Sequence, residues 1–316
     1  MNKKKILFIN HKDEACGVYQ YGKRVASILL KSNSQKYNYF YIEIDNKKDY
    51  FDQLNFILPD IVIHNYLDMT MPWFDMDCLT CLKSSKIPQG LIVHNIGYAN
   101  VFDFFIHQNP LYVQNGINYS IPRPLFNYNS TYSKPNKIPK IHTFGFGFIV
   151  KEYEKIVELI NDQLDFAEIN MHLTYSKFCP NYEELEKIKL LCFSKIKKDG
   201  IKLNITSDFK SDLDILDFLN TADLNIFLYK HYDNYNGISS VIDYALSVKK
   251  PIAICKSNMF AHINNTIPSI CIENQKIIDI INNGIKPLEN FYNIWSNEKF
   301  IQSFESILDI EHQIRL

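Results

Sequence analysis

The chain has 316 residues, with 34 Lys and Arg against 35 Asp and Glu, a formal net charge of −1. That length is enough for two domains of ordinary size. Proteins that bind nucleic acid through its phosphates usually carry a basic excess, so the balanced charge argues against a nucleic-acid partner.

The beginning of the chain is basic and then apolar, with Lys3, Lys4 and Lys5 before the segment ILFIN. The apolar segment is too short for a signal peptide, and charged residues follow at once. No uninterrupted apolar run approaches the ~18 residues of a membrane span. We therefore expect a cytoplasmic protein with at most peripheral membrane association.

The cysteines and histidines show no metal-binding pattern. Cys78 and Cys81 form a CxxC pair, but no second pair follows at zinc-ribbon spacing. The nine histidines form no HxxxH cluster. We predict neither a metal site nor a cofactor.

The first half of the chain alternates apolar strands with amphipathic helices. Two predicted buried strands end in the pairs His64-Asn65 and His94-Asn95. In open α/β sheets ligands bind beyond the carboxyl ends of the strands, so these side chains could line a cleft. Alternatively they bond only loop backbone; we favour the cleft for His94 and the loop for His64. Predicted strands cover residues 5–10, 39–44, 60–65 and 91–95, and a helix follows Gly17.

Residues 119–139 are rich in Pro, Asn, Ser and Tyr and have no helical or alternating pattern, as expected of a domain boundary. A second α/β unit follows. It opens with a strand at 141–144, a loop of Gly145, Phe146 and Gly147, and a helix from about Lys151.

Two further helices are predicted from local signals. Ser211 and Asp214 have the spacing of a capping box, which indicates a helix start. Residues 296–314 place Phe300, Phe304, Ile307 and Leu308 on one face, which predicts an amphipathic helix that docks on the body of the protein.

The segment from Ala222 to Pro251 is the most informative. It predicts a buried strand at 224–229 and a helix that turns Ser239, Ser240 and Asp243 away from its apolar face. A helix N-terminus reached through Gly and Ser can hold a phosphate, and an acid one turn later can accept hydrogen bonds from neighbouring hydroxyls. The alternative is an ordinary helix whose acid faces water. The predicted phosphate-binding residues are Gly237, Ile238, Ser239 and Ser240.

This alternation predicts an α/β protein with mostly parallel strands. We expect two Rossmann-like domains facing a central cleft. The predicted domains are residues 1–135 and 136–290, and residues 291–316 form a C-terminal helix that packs back on the body.

Four segments together resemble the family-four retaining glycosyltransferases, which have the GT-B fold. GVYQYG (17–22) resembles the loop after the first strand, and IVHN (92–95) is similar to the strand end whose histidine contacts the donor sugar. Asn95 stands where an acid is frequent in the family.

The other two segments lie in the second half. GFGFIVKEYEKIVELI (145–160) resembles the region where Arg and Lys neutralise the diphosphate: Lys151 falls at the lysine position, but Phe146 replaces the arginine. Lys155 could compensate. SVIDYALSVKKPIA (240–253) is similar to the second half of the family's Glu-x7-Glu motif, with Asp243 as its second acid. Tyr235 stands at the first, with Asp233 nearby.

The resemblance implies transfer of a sugar from a nucleoside diphosphate sugar to a hydroxyl of a glycan, lipid-linked or protein acceptor, with retention and without a metal. It makes His94, Lys151 and Asp243 the candidate catalytic residues. It implies donor contacts from Gly17, the Gly145 and Gly147 loop and the Gly237–Ser240 segment. A sugar-nucleotide 2-epimerase and a degenerate, non-catalytic binding or assembly protein are the alternatives, the latter because of Tyr235 and Phe146.

Overall fold

The computed structural model describes residues 2–84, 86–94, 102–130, 135–176, 182–231 and 237–313. Its backbone divides into two compact units. Unit 1 comprises Met1–Pro124 and Ile294–Leu316, and unit 2 comprises Leu125–Asn293.

Unit 1 contains a parallel sheet in the strand order β2-β1-β3-β4-β5-β6. Its strands are β1 (Lys4–Asn10), β2 (Tyr37–Glu43), β3 (Ile61–His64), β4 (Gln89–Val93), β5 (Phe104–His107) and β6 (Asn118–Ser120), and its first helices are α1 (Gly17–Leu30), α2 (Lys47–Ile57) and α3 (Met76–Ser84).

Unit 2 contains a second parallel sheet in the order β11-β10-β7-β8-β9. Its strands are β7 (Lys140–Phe146), β8 (Ala167–Thr174), β9 (Ile201–Thr206), β10 (Leu224–Phe227) and β11 (Ile252–Ile254). The helices α4 (Tyr153–Gln163), α5 (Tyr182–Ser194), α6 (Asp212–Asn220), α7 (Val241–Ser247), α8 (Ile277–Asn283) and α9 (Glu289–Ile294) follow in chain order, and α10 (Asn297–Gln313) ends the described chain.

Strands β3, β10 and β11 are buried on both faces, as expected of parallel sheets with crossover helices. In β1, Ile6 and Phe8 join one apolar cluster, while Leu7 and Ile9 join another on the opposite face, because side chains alternate along a strand. The prediction of two Rossmann-like α/β domains is confirmed.

The order of each sheet reverses at one point, and this point determines where ligands bind in such folds. In unit 1 the reversal lies between β1 and β3, and in unit 2 between β7 and β10. In open α/β sheets the connections that leave the carboxyl ends of such a strand pair run to opposite faces of the sheet, and ligand-binding crevices are found there.

The predicted capping box is present at the start of α6. The Ser211 hydroxyl accepts a hydrogen bond from the Asp214 N–H at 3.2 Å, and the Asp214 carboxylate accepts one from the Ser211 N–H at 3.1 Å. These two bonds satisfy amide groups that the first turn of a helix leaves open.

Helix α10 belongs to unit 1 although it ends the chain. Its apolar face, which includes Phe300 and Phe304, lies in the same cluster as Tyr39 of β2. Its acids bind tyrosines of the sheet: the Tyr37 hydroxyl donates to Asp309 at 2.6 Å, and the Tyr119 hydroxyl donates to Glu311 at 2.7 Å. The C-terminal helix therefore contributes core to unit 1.

We expect Phe304→Ala to lower the free energy of unfolding by about 3–5 kcal/mol, because it leaves a cavity in this core. Ile310→Ala is the matched control on the same helix, since Ile310 is exposed, and it should change the free energy by about 0.5 kcal/mol or less. Urea unfolding measures both. Equal effects would contradict the docking of α10 through its Phe304 face.

Candidate functional site

The crevice of unit 2 is formed by the segments that follow β7 and β10. After β7 the chain makes a short 3₁₀ turn at Ile149–Lys151. After β10 it continues through Tyr229, and the Lys230 N–H donates to the Val150 carbonyl at 2.8 Å. This bond joins the two segments directly beside Lys151.

Gly145 has a backbone conformation that brings it against the end of the Lys151 side chain. Its φ is +147°, and a Cβ built there would lie 2.5 Å from Lys151 Nζ and 3.0 Å from the Tyr153 hydroxyl. Another residue would be strained and would also displace the ammonium. Gly145 is therefore required for the position of Lys151.

The Lys151 ammonium is buried among aromatic rings. Nζ lies 5.2 Å from the ring centroid of Tyr229, 5.6 Å from that of Phe146 and 5.9 Å from that of Phe148. Ring faces attract cations, but more weakly than a carboxylate does. Burial lowers the pKa of Lys151 to about 7.

Within the described ranges Lys151 makes no ion pair, and its ammonium donates no hydrogen bond. Buried charges in proteins are normally paired, because removing an ion from water is costly. An unpaired ammonium at the reversal point of a sheet is the arrangement expected of an anion-binding group.

Phe146 stands at the position where the resemblance predicts an arginine, and Lys155 is the residue that could compensate for it. Phe146 presents its ring to Lys151 and so supports that single cation. Lys155 is exposed and donates to the Glu152 carboxylate at 2.7 Å, which raises its pKa. Lys155 is thus occupied in a surface ion pair and does not replace the arginine.

Tyr229 connects Lys151 with the predicted phosphate-binding segment. Its ring faces the ammonium, and its hydroxyl accepts a hydrogen bond from Ser239 Oγ at 3.2 Å. The structure therefore brings Gly145, Lys151 and Ser239 into one site. Sequence reasoning placed Tyr229 only at the end of a buried strand.

The helix that follows this segment starts later than predicted. It begins at Val241, with Ser240 as its N-cap, so Gly237, Ile238 and Ser239 form a loop. The Ser239 N–H donates to the Met259 carbonyl at 3.0 Å, which holds the chain outside the helix. Within the described chain the N–H groups of Gly237 and Ile238 meet no backbone acceptor.

Asp243 is fully buried, as are the other residues of α7. The predicted helix is present, but the prediction that it has an exposed polar face is wrong. The alternative, in which Asp243 faces water, is wrong for the same reason. The Asp243 carbonyl accepts a bond from Ser247 Oγ at 2.6 Å, one turn further on.

Gly147 has a packing role in the structure. Its N–H donates to the Thr174 carbonyl at 2.8 Å, and a Cβ there would lie 2.5 Å from Leu185 of α5. The Gly147 N–H is therefore already bonded to the end of β8. The absence of a side chain at Gly147 allows the end of β7 to pack closely against α5.

In unit 1 the carboxyl ends of neighbouring strands each place a polar residue in one hydrogen-bonded chain, the strand-end network. Asn65 Nδ2 donates to Asn10 Oδ1 at 2.8 Å, and His94 Nε2 lies 2.6 Å from Asn65 Oδ1. Gln108 Nε2 bonds His94 Nδ1. The network comprises Asn10, Asn65, His94 and Gln108, from β1, β3, β4 and β5.

The network determines the protonation of His94. Because Gln108 Nε2 can only donate, Nδ1 of His94 accepts and its Nε2 carries the proton given to Asn65. Burial lowers the pKa of His94 to about 3, so the ring is neutral near pH 7. Both ring nitrogens are occupied inside the protein.

The two glycines of GVYQYG have different places. Gly17 is the exposed first residue of α1, beyond the end of β1. Gly22 lies against the strand-end network, where a Cβ would be 2.3 Å from Asn65 Nδ2 and 3.0 Å from Asn10 Nδ2. Gly22 therefore allows α1 to approach the two asparagines.

His64 lies in the core. Its ring packs between Phe74 and Phe102, at centroid distances of 4.9 and 5.4 Å, and its Nε2 lies 3.2 Å from the Tyr50 hydroxyl. The favoured interpretation, in which His64 bonds only loop backbone, is therefore wrong, and so is a cleft role for His64. Asn95, Asp233 and Tyr235 lie outside the described residues.

No metal-binding cluster is present in the part of the chain that the structure describes. Cys78 is buried and Cys81 is exposed, and both are free thiols. Among the described helices, none has the length and apolar character needed to cross a membrane.

No protein-family model and no curated protein matches the chain. Among solved structures, HepE of Anabaena in complex with UDP-glucose has a TM-score of 0.63 at 12% identity, over 98% of this chain and 100% of that one. An alpha-glucosyltransferase in complex with UDP and a 13-mer DNA has a TM-score of 0.60 at 14% identity, over 98% and 100%. A glycosyltransferase from Rickettsia africae has a TM-score of 0.59 at 15% identity, over 98% and 94%.

The chain has the GT-B fold. Its two units are the two Rossmann-like domains of that fold, and the crevice with Lys151 belongs to the second. At these identities the similarity establishes architecture, while the chemistry has to be argued from the residues of the site.

We expect Lys151→Met to stabilise the protein at pH 6 by about 1 kcal/mol or more, because it removes a buried charge that has no acid partner among the described residues. Burial places the folded pKa near 7, below the ordinary value of 10.5. The unfolded chain therefore binds more protons between those values, and the wild type gains stability as pH rises through that window. The advantage of the variant should fade from pH 7 towards pH 10.

Urea unfolding from pH 6 to pH 10 measures this difference. Lys155→Met is the control, because the exposed Lys155 ammonium keeps its contact with water and its loss should change stability little at any of these pH values. A Lys151→Met protein that is less stable than the wild type at pH 6 would contradict an unpaired ammonium.

Proposed function

We propose that the protein is a glycosyltransferase that moves a sugar from a nucleoside diphosphate sugar to a hydroxyl of a glycan, a lipid-linked saccharide or a protein. The GT-B fold supports this proposal, as do structural neighbours that were solved in complex with UDP-glucose or UDP. The net charge of −1 favours these acceptors over DNA.

The observation that supports the proposal most directly is the buried Lys151 ammonium. It has three aromatic neighbours and, in the described chain, no acid partner. A diphosphate would supply the missing negative charge. Gly145, without a side chain, leaves room for it beside the ammonium.

Glycosyl transfer depends on stabilising the leaving diphosphate, since negative charge grows on it while the sugar becomes an oxocarbenium-like cation. A cation already fixed in a site of low polarity does this without reorganising, and removing such a group typically costs about 2.7–4 kcal/mol of barrier. Lys151 has this role in the proposal.

The loop of Gly237, Ile238, Ser239 and Ser240 completes the donor site in the proposal. Ser239 is tied to Lys151 through Tyr229, and the Gly237 and Ile238 amides have no backbone acceptor within the described residues. Asp243 follows on α7 and would accept hydrogen bonds from ribose or sugar hydroxyls. Its burial would strengthen such bonds.

In the proposal Gly17, at the start of α1, contributes donor contacts, and His94, directly after β4, contacts the donor sugar. The strand-end network leaves His94 neutral with both nitrogens bonded. We therefore propose that His94 shapes the site as a neutral ring and is not a general base. We also propose retention of the anomeric configuration and catalysis without a metal, because the family-four resemblance implies both. The cytoplasmic location is proposed from the sequence.

A thermal-shift series with UDP, GDP, ADP, CMP and dTDP tests the proposal. A ligand at ~100 times its dissociation constant adds about 2.7 kcal/mol of stability, so one nucleotide should raise the melting temperature selectively. Lys151→Met should lower the affinity for that nucleotide about 10- to 100-fold, since a charged hydrogen bond contributes ~1.5–3 kcal/mol. Lys155→Met should leave its affinity near the wild-type value.

Flat curves with all five nucleotides and a folded baseline would contradict the proposal and support a degenerate binding protein. Turnover of UDP-GlcNAc alone to its 2-epimer would support the epimerase, because an epimerase needs no acceptor. Equal losses in Lys151→Met and Lys155→Met would reject the assignment of Lys151.

Asp243→Asn tests the hydroxyl-binding role. The amide keeps the shape of the buried side chain but loses its charge, so we expect an affinity loss of about 10-fold or more for the preferred nucleotide. The 2′,3′-dideoxy analogue of that nucleotide lacks the ribose hydroxyls. If these hydroxyls bind the Asp243 carboxylate, the analogue should bind wild type and variant with equal affinity. Equal losses for both nucleotides, measured by calorimetry, would mean that Asp243 supports the fold and does not bind ribose.

A further inference from the structure

Tyr229 contacts two polar groups of the candidate site in addition to its apolar neighbours. It lies two residues beyond β10 and is buried. Its ring faces Lys151 Nζ at 5.2 Å, and its hydroxyl accepts from Ser239 Oγ at 3.2 Å. One side chain thus contacts both groups that the proposed function places on the diphosphate.

Tyr229 is itself held firmly in place. Its N–H donates to Cys255 Sγ at 3.1 Å, and the Cys255 thiol donates to its carbonyl at 3.2 Å. The ring packs against Phe260 with centroids 4.8 Å apart. Backbone and ring are therefore both fixed by neighbours from the β11 side of the crevice.

We propose that Tyr229 is a positioning residue, which orients the Lys151 ammonium with its ring and the Ser239 hydroxyl with its own hydroxyl towards one shared phosphate. This inference rests on the proposed function. Small displacements of groups that bind a reacting phosphate have large effects on rate and affinity.

The two roles belong to different atoms, so they can be separated. Tyr229→Phe keeps the ring beside Lys151 and removes the acceptor of the Ser239 bond. Tyr229→Leu removes both. Ser239→Ala removes the same hydrogen bond from its other end and leaves the ring untouched.

The groups that face Lys151 in the described structure are neutral near pH 7. The Tyr153 hydroxyl donates to the Phe146 carbonyl at 3.0 Å, and the Tyr229 hydroxyl accepts from Ser239. The nearby Glu152 carboxylate is bonded to Lys155. A change with pH that differs between Tyr229 variants therefore reports on Lys151.

Inorganic pyrophosphate is the probe, because it carries the diphosphate without base or sugar. Calorimetry should give an affinity about tenfold weaker for Tyr229→Leu than for the wild type. Tyr229→Phe and Ser239→Ala should each weaken it less and by similar factors. The double variant Tyr229→Phe with Ser239→Ala should bind pyrophosphate as tightly as either single variant. All three proteins lack the same hydrogen bond between Ser239 and Tyr229.

A pH series from 6 to 9 supplies the second readout. The probe titrates identically in every experiment, so the ratio of variant to wild-type affinity depends on the protein alone. Tyr229→Phe should keep the wild-type midpoint of the affinity loss. Tyr229→Leu should move the midpoint to lower pH, because the ammonium loses a ring that stabilises its charge.

A purely structural role for Tyr229 would lower the melting temperature and leave the midpoint in place, and that result would overturn the inference. So would additive losses in Tyr229→Phe and Ser239→Ala, which remain informative if Tyr229→Leu fails to fold. Pyrophosphate binding that is indifferent to Tyr229 overturns this inference alone. A wild-type protein that binds neither pyrophosphate nor any nucleotide overturns the proposed function with it.

Discussion

The buried ammonium of Lys151 is the interaction on which the candidate site in unit 2 depends. Its position requires the bare backbone of Gly145 at a positive φ, the 3₁₀ turn after β7 and a ring contributed from beyond β10. Aromatic faces offset only part of the cost of removing this charge from water. In the described structure no acid offsets the rest of this cost, and this is the basis for proposing that Lys151 binds an anion.

The polar edge of unit 1 is arranged in the opposite way. Asn10, Asn65, His94 and Gln108 bond one another in sequence along four strand ends, and each donor meets an acceptor inside the protein. Such a network rigidifies the ends of its strands and fixes one tautomer of His94. A ligand at this edge would meet a surface already oriented, and it would not need to supply a missing charge.

The architecture could be predicted from the sequence because apolar strands and amphipathic helices alternate strongly. Lys151 was predicted only through a resemblance. Its aromatic surroundings come from two separate segments, with Phe146 and Phe148 at and just beyond the end of β7 and Tyr229 after β10. Tyr229, Asn10 and Gln108 were missed, since a polar or aromatic residue at a strand end is common and its partners depend on sheet order. The start of α7 was placed too early because the Met259 carbonyl, twenty residues beyond Ser239, takes an amide that local patterns assign to the helix. His64 and His94 end similar strands, yet only the tertiary packing separates a core ring from a network member.

Phe146 stands where the family-four resemblance predicts an arginine, and its ring lies beside the Lys151 ammonium. An arginine there would bring a second charge beside Lys151 and would depress its pKa further. The phenyl ring attracts the ammonium instead, at 5.6 Å, while burial still holds the pKa near 7. In the proposed function a diphosphate favours the charged form, so its binding and the protonation of Lys151 are thermodynamically coupled. A bound anion would therefore raise the charged fraction of Lys151 near pH 7, where burial leaves the free site only partly protonated.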